Sequence, residues 1–334
     1  MTPAPPPAGG VAPDSDSGGS DSGGIDTRAL VEELTAEGAG GPGVAGHEAR
    51  FIVDEALGVG PGGVRPNAVP PAAAAGARAM AARRTAGEPL QYIFGHWPFL
   101  ELDLLVDARV LIPRPETEQV VEVALGEARR LADLRPVAGP GAGSGLVAVD
   151  AGTGSGAIAL ALATALGARL VAEIWATDLS ADALAVAAAN VRACGPGAVP
   201  GLPEITLAEG SWLSPLPPRL RGHVDLVVSN PPYVTEEEWA GLDPEVRAEP
   251  RPALVAGPGR SGAPGLADVE AVLEEALSWL ARPGAVVVEL APSQAGAAQD
   301  RAWQLGYDEV RVEPDLVGRP RALVARRGGL QQGQ

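Results

Sequence analysis

The sequence contains no lysine: all 25 of its cationic side chains are arginine. Since alanine, glycine and proline are abundant, this is a genomic composition bias and carries no chemistry. Cysteine is nearly as scarce, with Cys194 standing alone, so no internal disulfide can form. The three histidines, His47, His96 and His223, are far apart and have no second ligand at metal-site spacing, so no metal centre is expected. No apolar run approaches the roughly 20 residues that cross a bilayer, and the longest, Ala157 to Leu166, falls well short. The N-terminus shows no basic-then-apolar leader, and a cytoplasmic protein without membrane contact is expected. The formal net charge is -17, so nucleic acid would meet a repulsive field, and direct nucleic-acid binding is not expected.

What is present suggests a globular α/β protein with an appendage. The 334 residues exceed the usual single-domain length, and 46% are hydrophobic against 20% charged. Residues 1–24 are Pro, Gly, Ser and Asp-rich and read as a disordered tail. Residues 25–89 read as a helical domain, with Leu30, Val31 and Leu34, then Phe51, Ile52, Glu55 and Ala56, at helical spacing, and an Ala-rich helix to Arg84. Residues 90–112 read as a β-hairpin linker, because Leu100, Leu102, Leu104 and Val106 alternate with Glu101 and Asp103. The main domain is expected over 113–328, with a short disordered tail at 329–334. Pro115 opens a helix whose apolar face is Val120, Val121, Ala124, Leu125 and Ala128, and a Pro/Gly-rich loop follows at 135–145. Seven strands are expected, at 146–150, 170–178, 204–208, 224–229, 285–290, 309–312 and 322–325. Alternating with helical segments, they predict a mainly parallel sheet covered on both faces.

The segment VAVDAGTGSGAIALALA ends a strand at Asp150, runs through Gly152, Gly154 and Gly156, and opens a helix near Ala157. Glycines there allow a tight turn and close approach of a ligand, and the free N–H groups of the helix start favour a nucleotide-bearing molecule. The next strand ends at Asp178, placed to accept from ribose hydroxyls. A plain turn followed by a capping aspartate, with Ser180 as a rival cap, is the bland alternative. The strand, loop, helix, strand and aspartate together count against it. The spacing G-x-G-x-G differs from the dinucleotide pattern G-x-G-x-x-G, and so favours a methionine-containing nucleoside over a nicotinamide cofactor.

The strand VDLVVS leads into Asn230, Pro231, Pro232 and Tyr233, the most specific motif in the chain. Two prolines stiffen the backbone and hold Asn230 in few conformations. A planar amino group next to a carbonyl or an aromatic ring has a delocalised lone pair and attacks poorly. Asn230 Oδ1 and the Pro231 carbonyl are suited to accept its two hydrogens and orient it, and Tyr233 to stack on it. The same chemistry serves an amino-directed nucleic-acid methyltransferase acting on a flipped base. That reading needs a basic groove and a target-reading insertion, and neither is visible. A binding protein without turnover would have little use for the Asn-Pro-Pro corner.

The glycine loop, Asp178 and NPPY resemble the class I methyltransferases. With GEPLQYIFG (Gly87 to Gly95) and VLIPRPETE (Val110 to Glu118), the chain resembles the HemK/PrmC family of release-factor glutamine methyltransferases over about residues 26–326. The resemblance implies a Rossmann-like sheet of seven strands and a small helical domain that helps receive the release factor. It also implies transfer from S-adenosylmethionine to the side-chain amide nitrogen of the glutamine in a GGQ loop. Gly152, Thr153, Gly154, Ser155 and Gly156 would hold the cofactor, with Asp178 on its ribose and Trp212 near its adenine. Asn230 would touch both substrates, and Asn230 through Tyr233 would cradle the glutamine. A monomer is expected. Read without the resemblance, Trp212 is a core indole and Cys194 a small apolar residue. Arg114, between two prolines, fits either a contact with substrate or the cofactor carboxylate, or an interdomain salt bridge. Glu249, Pro250 and Arg251 match the family, but GPGRSGAPGL is longer than the family's turn, and LAPSQ after Glu289 departs from its pattern. Glu289 is therefore assigned no catalytic role.

Overall fold

The computed structural model describes residues 24–37, 44–60, 63–134 and 145–328. The two expected tails and the loop at 135–145 lie, apart from Gly24 and Gly145, outside the described residues. The chain forms two compact units, 1–85 and 86–334. Among the described residues, no helix is long and apolar enough to cross a membrane.

In the first unit, β1 (Ile25–Asp26) pairs antiparallel with β2 (Ala68–Val69) beside three helices, α1 (Thr27–Glu37), α2 (Gly46–Leu57) and α3 (Pro71–Thr85). Leu30 and Leu34 are fully buried, as are Ile52 and Val53. Against them pack Ala74, Ala77 and Ala81, whose small side chains let α3 approach closely. The expected inward face of α2 is corrected by one position: Phe51 is 50% exposed.

The second unit opens with a helix, α4 (Leu90–Phe94), where a hairpin was expected. The hairpin itself is confined to β3 (His96–Phe99) and β4 (Leu102–Leu105). Leu100 sits in its turn at φ 52, not in a strand. Phe99 and Leu104 belong to the core of this unit, and Asn190 both accepts from the Leu105 N–H at 2.8 Å and donates to the Leu105 carbonyl at 3.0 Å. The hairpin is therefore a packed part of the larger unit.

From there the chain runs α5 (Pro115–Asp133), β5 (Leu146–Ala151), α6 (Ala157–Leu170), β6 (Val171–Asp178), α7 (Ala181–Cys194), β7 (Glu204–Glu209) and β8 (Val224–Ser229). It continues through α8 (Glu236–Trp239), α9 (Pro244–Arg247), α10 (Ala267–Trp279), β9 (Leu280–Glu289), α11 (Ala295–Leu305), β10 (Glu309–Pro314) and β11 (Pro320–Arg327). Seven strands form one sheet in the order β10-β11-β9-β8-β5-β6-β7, in which only β11 is reversed. Valine-rich strands suit burial on both faces. Alternate residues serve opposite layers: Ala148, Leu226, Val228 and Val287 face the cluster with α5 and α6, whereas Val149, Val227, Val286 and Val288 face the cluster with α10 and α11. After β5 the chain builds outward through β6 and β7, then returns to place β8 on the other side of β5. The crevice at the carboxyl ends of β5 and β8 is thus the topological switch point, where such sheets bind ligands.

Candidate active site

A cavity of about 600 Å³ opens at this switch point. Its wall includes Gly152, Thr153, Gly154 and Ser155 from the glycine loop, Asp178 from β6, and Trp212, Asn230 and Pro232. Of the residues expected at the site, Gly156, Pro231 and Tyr233 are not in the wall. Gly156, at φ 85, starts α6 instead, and a Cβ there would come 3.4 Å from Ala187 Cβ, so it serves the approach of α6 to α7.

The loop is held from beneath. The N–H groups of Gly152 and Thr153 donate to the Thr177 carbonyl at 2.9 and 2.8 Å. Thr153 Oγ1 and the Ala159 N–H donate to Asp150 Oδ2 at 2.6 and 3.0 Å. Asp150 is completely buried, and burial pushes its carboxyl up to about 7 against those two hydrogen bonds. Sequence reading took Asp150 only as a strand end. Its bracing role shows itself only once the loop folds back over it. Asp178 Oδ2 accepts from Gly154 N–H and Oδ1 from Ser180 N–H, both at 2.9 Å. Burial raises the Asp178 carboxyl above its usual range while the N–H groups of Ser180, Gly154 and Leu179 draw it back.

Trp212 lies in the cavity wall, half-buried, not in the core interior. Its backbone is left-handed at φ 44, and the Thr177 hydroxyl holds its carbonyl at 2.6 Å. A Cβ added at Gly152 would lie 3.2 Å from Trp212 Cζ3, so the indole closes over the glycine.

At the end of β8, Asn230 Nδ2 donates to Thr117 Oγ1 at 3.0 Å. Among the described residues, no donor engages Asn230 Oδ1 or the Pro231 carbonyl; Asn230 borders the cavity, whereas Pro231 is buried and outside its wall. The Tyr233 hydroxyl reaches Glu289 Oε1 at 3.3 Å, and the Tyr233 carbonyl accepts from Gln294 Nε2 at 3.0 Å. Thr117, Glu289 and Gln294 were given no part by sequence reading, because the bonds that bring them here span 113, 172 and 61 residues.

Arg114 is paired with Glu249, a partner within the same unit, so the salt bridge it makes is not the interdomain one expected. Glu249 also accepts the Ile112 N–H at 2.9 Å, tying the PRPET segment to the stretch that follows NPPY. Burial raises the Glu249 carboxyl, and Arg114 pulls it down. The long stretch GPGRSGAPGL closes on itself: Gly259 N–H donates to the Ala263 carbonyl at 2.8 Å, and Glu270 gathers the Arg260 N–H and the Ser261 hydroxyl, both at 2.6 Å.

This strand order, with its glycine loop, acidic strand end and Asn-Pro-Pro corner around one cavity, defines a Rossmann-like class I methyltransferase. Residues 21–95 match the PrmC N-terminal domain family. The chain is 40% identical over 247 residues to the release factor glutamine methyltransferase of Moorella thermoacetica, covering 73% of this chain and 77% of that one. It is 36% identical over 303 residues to that of Cereibacter sphaeroides, covering 90% and 96%. A methyltransferase structure from Pyrococcus furiosus aligns at a TM-score of 0.45 and 18% identity, over 75% of this chain and 98% of that one. The chain belongs to the release factor glutamine methyltransferase family.

The methyl donor of such an enzyme is S-adenosylmethionine, and the residues present fit it. Gly152 and Gly154, both at positive φ, bring bare backbone to the cavity, and a Cβ at Gly152 would intrude on the indole that walls it.

Proposed function

We propose that this protein methylates the side-chain amide nitrogen, N5, of the glutamine in the GGQ loop of peptide chain release factors. Gly152 through Ser155, Asp178 and Trp212 hold the donor, with Asp178 on its ribose and the indole beside its adenine. Bound S-adenosylmethionine supplies an electrophilic methyl on a sulfonium that departs as a neutral thioether. The observation that carries the reading is Asn230, which stands in the cavity wall at the carboxyl edge of β8 beside the glycine loop with no donor on its Oδ1; the Pro231 carbonyl that follows it also has no donor among the described residues.

An amide nitrogen is a weak nucleophile because its lone pair is shared with the carbonyl. Two acceptors that fix its two N–H bonds turn the lone pair out of conjugation and toward the methyl, and positioning of this kind supplies part of the roughly 7–11 kcal/mol available from orientation. The N–CH₃ bond forms as the S–CH₃ bond breaks, and one amide proton passes to water. Pro232 and Tyr233 complete the acceptor cradle. The protein acts as a cytoplasmic monomer, and its net charge of -17 supports a protein acceptor over a nucleic acid.

The test is to incubate the purified protein with labelled S-adenosylmethionine and, separately, a release factor and DNA, and then to map the label by mass spectrometry. Label on the GGQ glutamine is expected, and label on DNA alone overturns the reading. Asn230→Ala is expected to lower kcat by about 10²–10³, as for loss of one preorganised polar group.

A further inference from the structure

The side chain of Asn230 has two chemically opposite edges of nearly the same shape. Its carbonyl accepts and its amino group donates, and only the carbonyl suits an incoming amide that brings two N–H donors. Shape does not choose between the two orientations. Hydrogen-bond polarity does.

Thr117 Oγ1, which receives the Asn230 amino group at 3.0 Å, itself donates to Glu289 Oε2 at 2.7 Å. Glu289 is fully buried and Thr117 is 4% exposed, so water does not compete. A hydroxyl has a single proton. An ionised carboxylate only accepts, so it takes that proton and leaves Thr117 nothing but lone pairs to offer Asn230. The Asn230 amino group must then turn toward Thr117, and the carbonyl is left for the cavity.

Resting on the function proposed above, we infer that Thr117 and Glu289 are positioning residues for methyl transfer, a polarity latch that holds the Asn230 amide with its oxygen toward the acceptor nitrogen. Thr117 belongs to the cavity wall and Glu289 lies behind it, so the carboxylate acts through Thr117 and Asn230. If Glu289 gains a proton, it can donate to Thr117, and Thr117 can then donate to Asn230 Oδ1. The amide flips and presents its amino group to the amino group of the substrate, donor against donor.

The groups that face Glu289 are Glu116 and Thr117 from α5, Tyr233 after β8 and Arg321 from β11. Burial pushes its carboxyl up to about 7. The Thr117 hydrogen bond, the Arg321 charge and the Tyr233 hydroxyl work against that rise, and the Glu116 charge adds to it. The anionic form that sets the latch is present above that pH and is lost as pH falls through it.

The experiment compares Thr117→Val, Thr117→Ser and Glu289→Gln with the wild type, measuring transfer to a release factor across pH and affinity for S-adenosylhomocysteine by calorimetry. T117V keeps the side-chain volume and deletes the proton relay, and should lose about 10- to 100-fold in kcat, the usual range for a group that orients a site residue. Affinity for S-adenosylhomocysteine should stay within about twofold of wild type, which also reports that the protein has folded. T117S restores the hydroxyl and should recover most of the lost kcat. E289Q should run at a reduced rate without the acidic limb seen in the wild-type profile. Wild-type kcat in T117V, or an unchanged acidic limb in E289Q, overturns the inference while transfer by the wild type leaves the proposed function standing. A wild type that leaves the release factor unlabelled overturns both.

Discussion

The Thr177 hydroxyl donates to the Trp212 carbonyl at 2.6 Å, and through this bond the end of β6 holds the indole that closes over the glycine loop. The carbonyl of the same Thr177 receives the Gly152 and Thr153 N–H groups. One residue therefore fixes both the floor of the cavity and its wall.

Gly152→Ala should weaken that cavity in two ways. The new Cβ would stand 3.2 Å from Trp212 Cζ3, at a backbone φ of 78 that costs a non-glycine residue about 1–2 kcal/mol. Affinity for S-adenosylhomocysteine should fall about tenfold or more, with a modest drop in Tm. Calorimetric titration and a thermal scan measure the two, and an affinity within twofold of wild type would show that the loop does not meet the ligand.

Asp178→Ala removes the proposed ribose acceptor and also frees the Gly154 N–H that its Oδ2 holds at 2.9 Å. A hydrogen bond to a charged group is worth about 1.5–3 kcal/mol, so donor affinity should drop by about 10- to 100-fold. The KM for the protein acceptor should change far less, because Asp178 sits on β6, across the glycine loop from Asn230. Steady-state kinetics with each substrate varied in turn separate the two effects.

Gln294→Ala should act on the proposed acceptor side. Gln294 Nε2 donates to the carbonyls of Tyr233 and Pro264 at 3.0 and 3.1 Å, pinning the proposed acceptor cradle to the long loop at 257–266. Its loss should raise the KM for the release factor by several-fold and leave donor affinity unchanged. A rise in donor Kd of the same size would place Gln294 in general folding and not in the acceptor site.

Glu127→Gln tests what holds α5, and with it Thr117, against the sheet edge. Burial pushes the Glu127 carboxyl up, but hydrogen bonds from Arg326, Arg130 and Arg311 outweigh it and set the pKa at about 2, below its ordinary 4.5. A carboxylate with a depressed folded pKa adds stability that is complete above its unfolded value and is lost as pH falls toward the folded one. E127Q should cost about 3 kcal/mol at pH 7, since it leaves three partly buried guanidiniums short of an anion. The gap from wild type should narrow by about half near pH 3. Urea denaturation at both pH values checks this, and a gap that does not vary with pH would remove the ion cluster from the explanation.

Much of the architecture was legible beforehand. Each of the seven sheet strands was expected within a few residues of its observed core, because valine-rich runs between turn signals leave few other choices. The start of α5 at Pro115 and of α6 at Ala157 followed from the same local chemistry. The errors fell where a tertiary partner overrode local pattern. The alternation from Leu100 to Val106 read as one strand, yet the chain reverses at Leu100 because Phe99 and Leu104 both reach the core beside α5. Phe51 was grouped with Ile52, Glu55 and Ala56 at helical spacing, and it faces outward because Ile52 and Val53 take the interior.

The site divides along the same line. The sequence by itself determined the glycine loop, the acidic end of β6 and the rigid Asn-Pro-Pro corner, since each depends on residues a few positions apart whose backbone limits and turn chemistry are local properties. Only the tertiary structure decided which way Asn230 faces and which side chains Glu289 meets. A buried polar group must find its partner among whatever strands and helices lie beside it. Sheet order and helix packing brought Thr117 and Glu289 to Asn230 from 113 and 59 residues away, a choice no stretch of local sequence encodes.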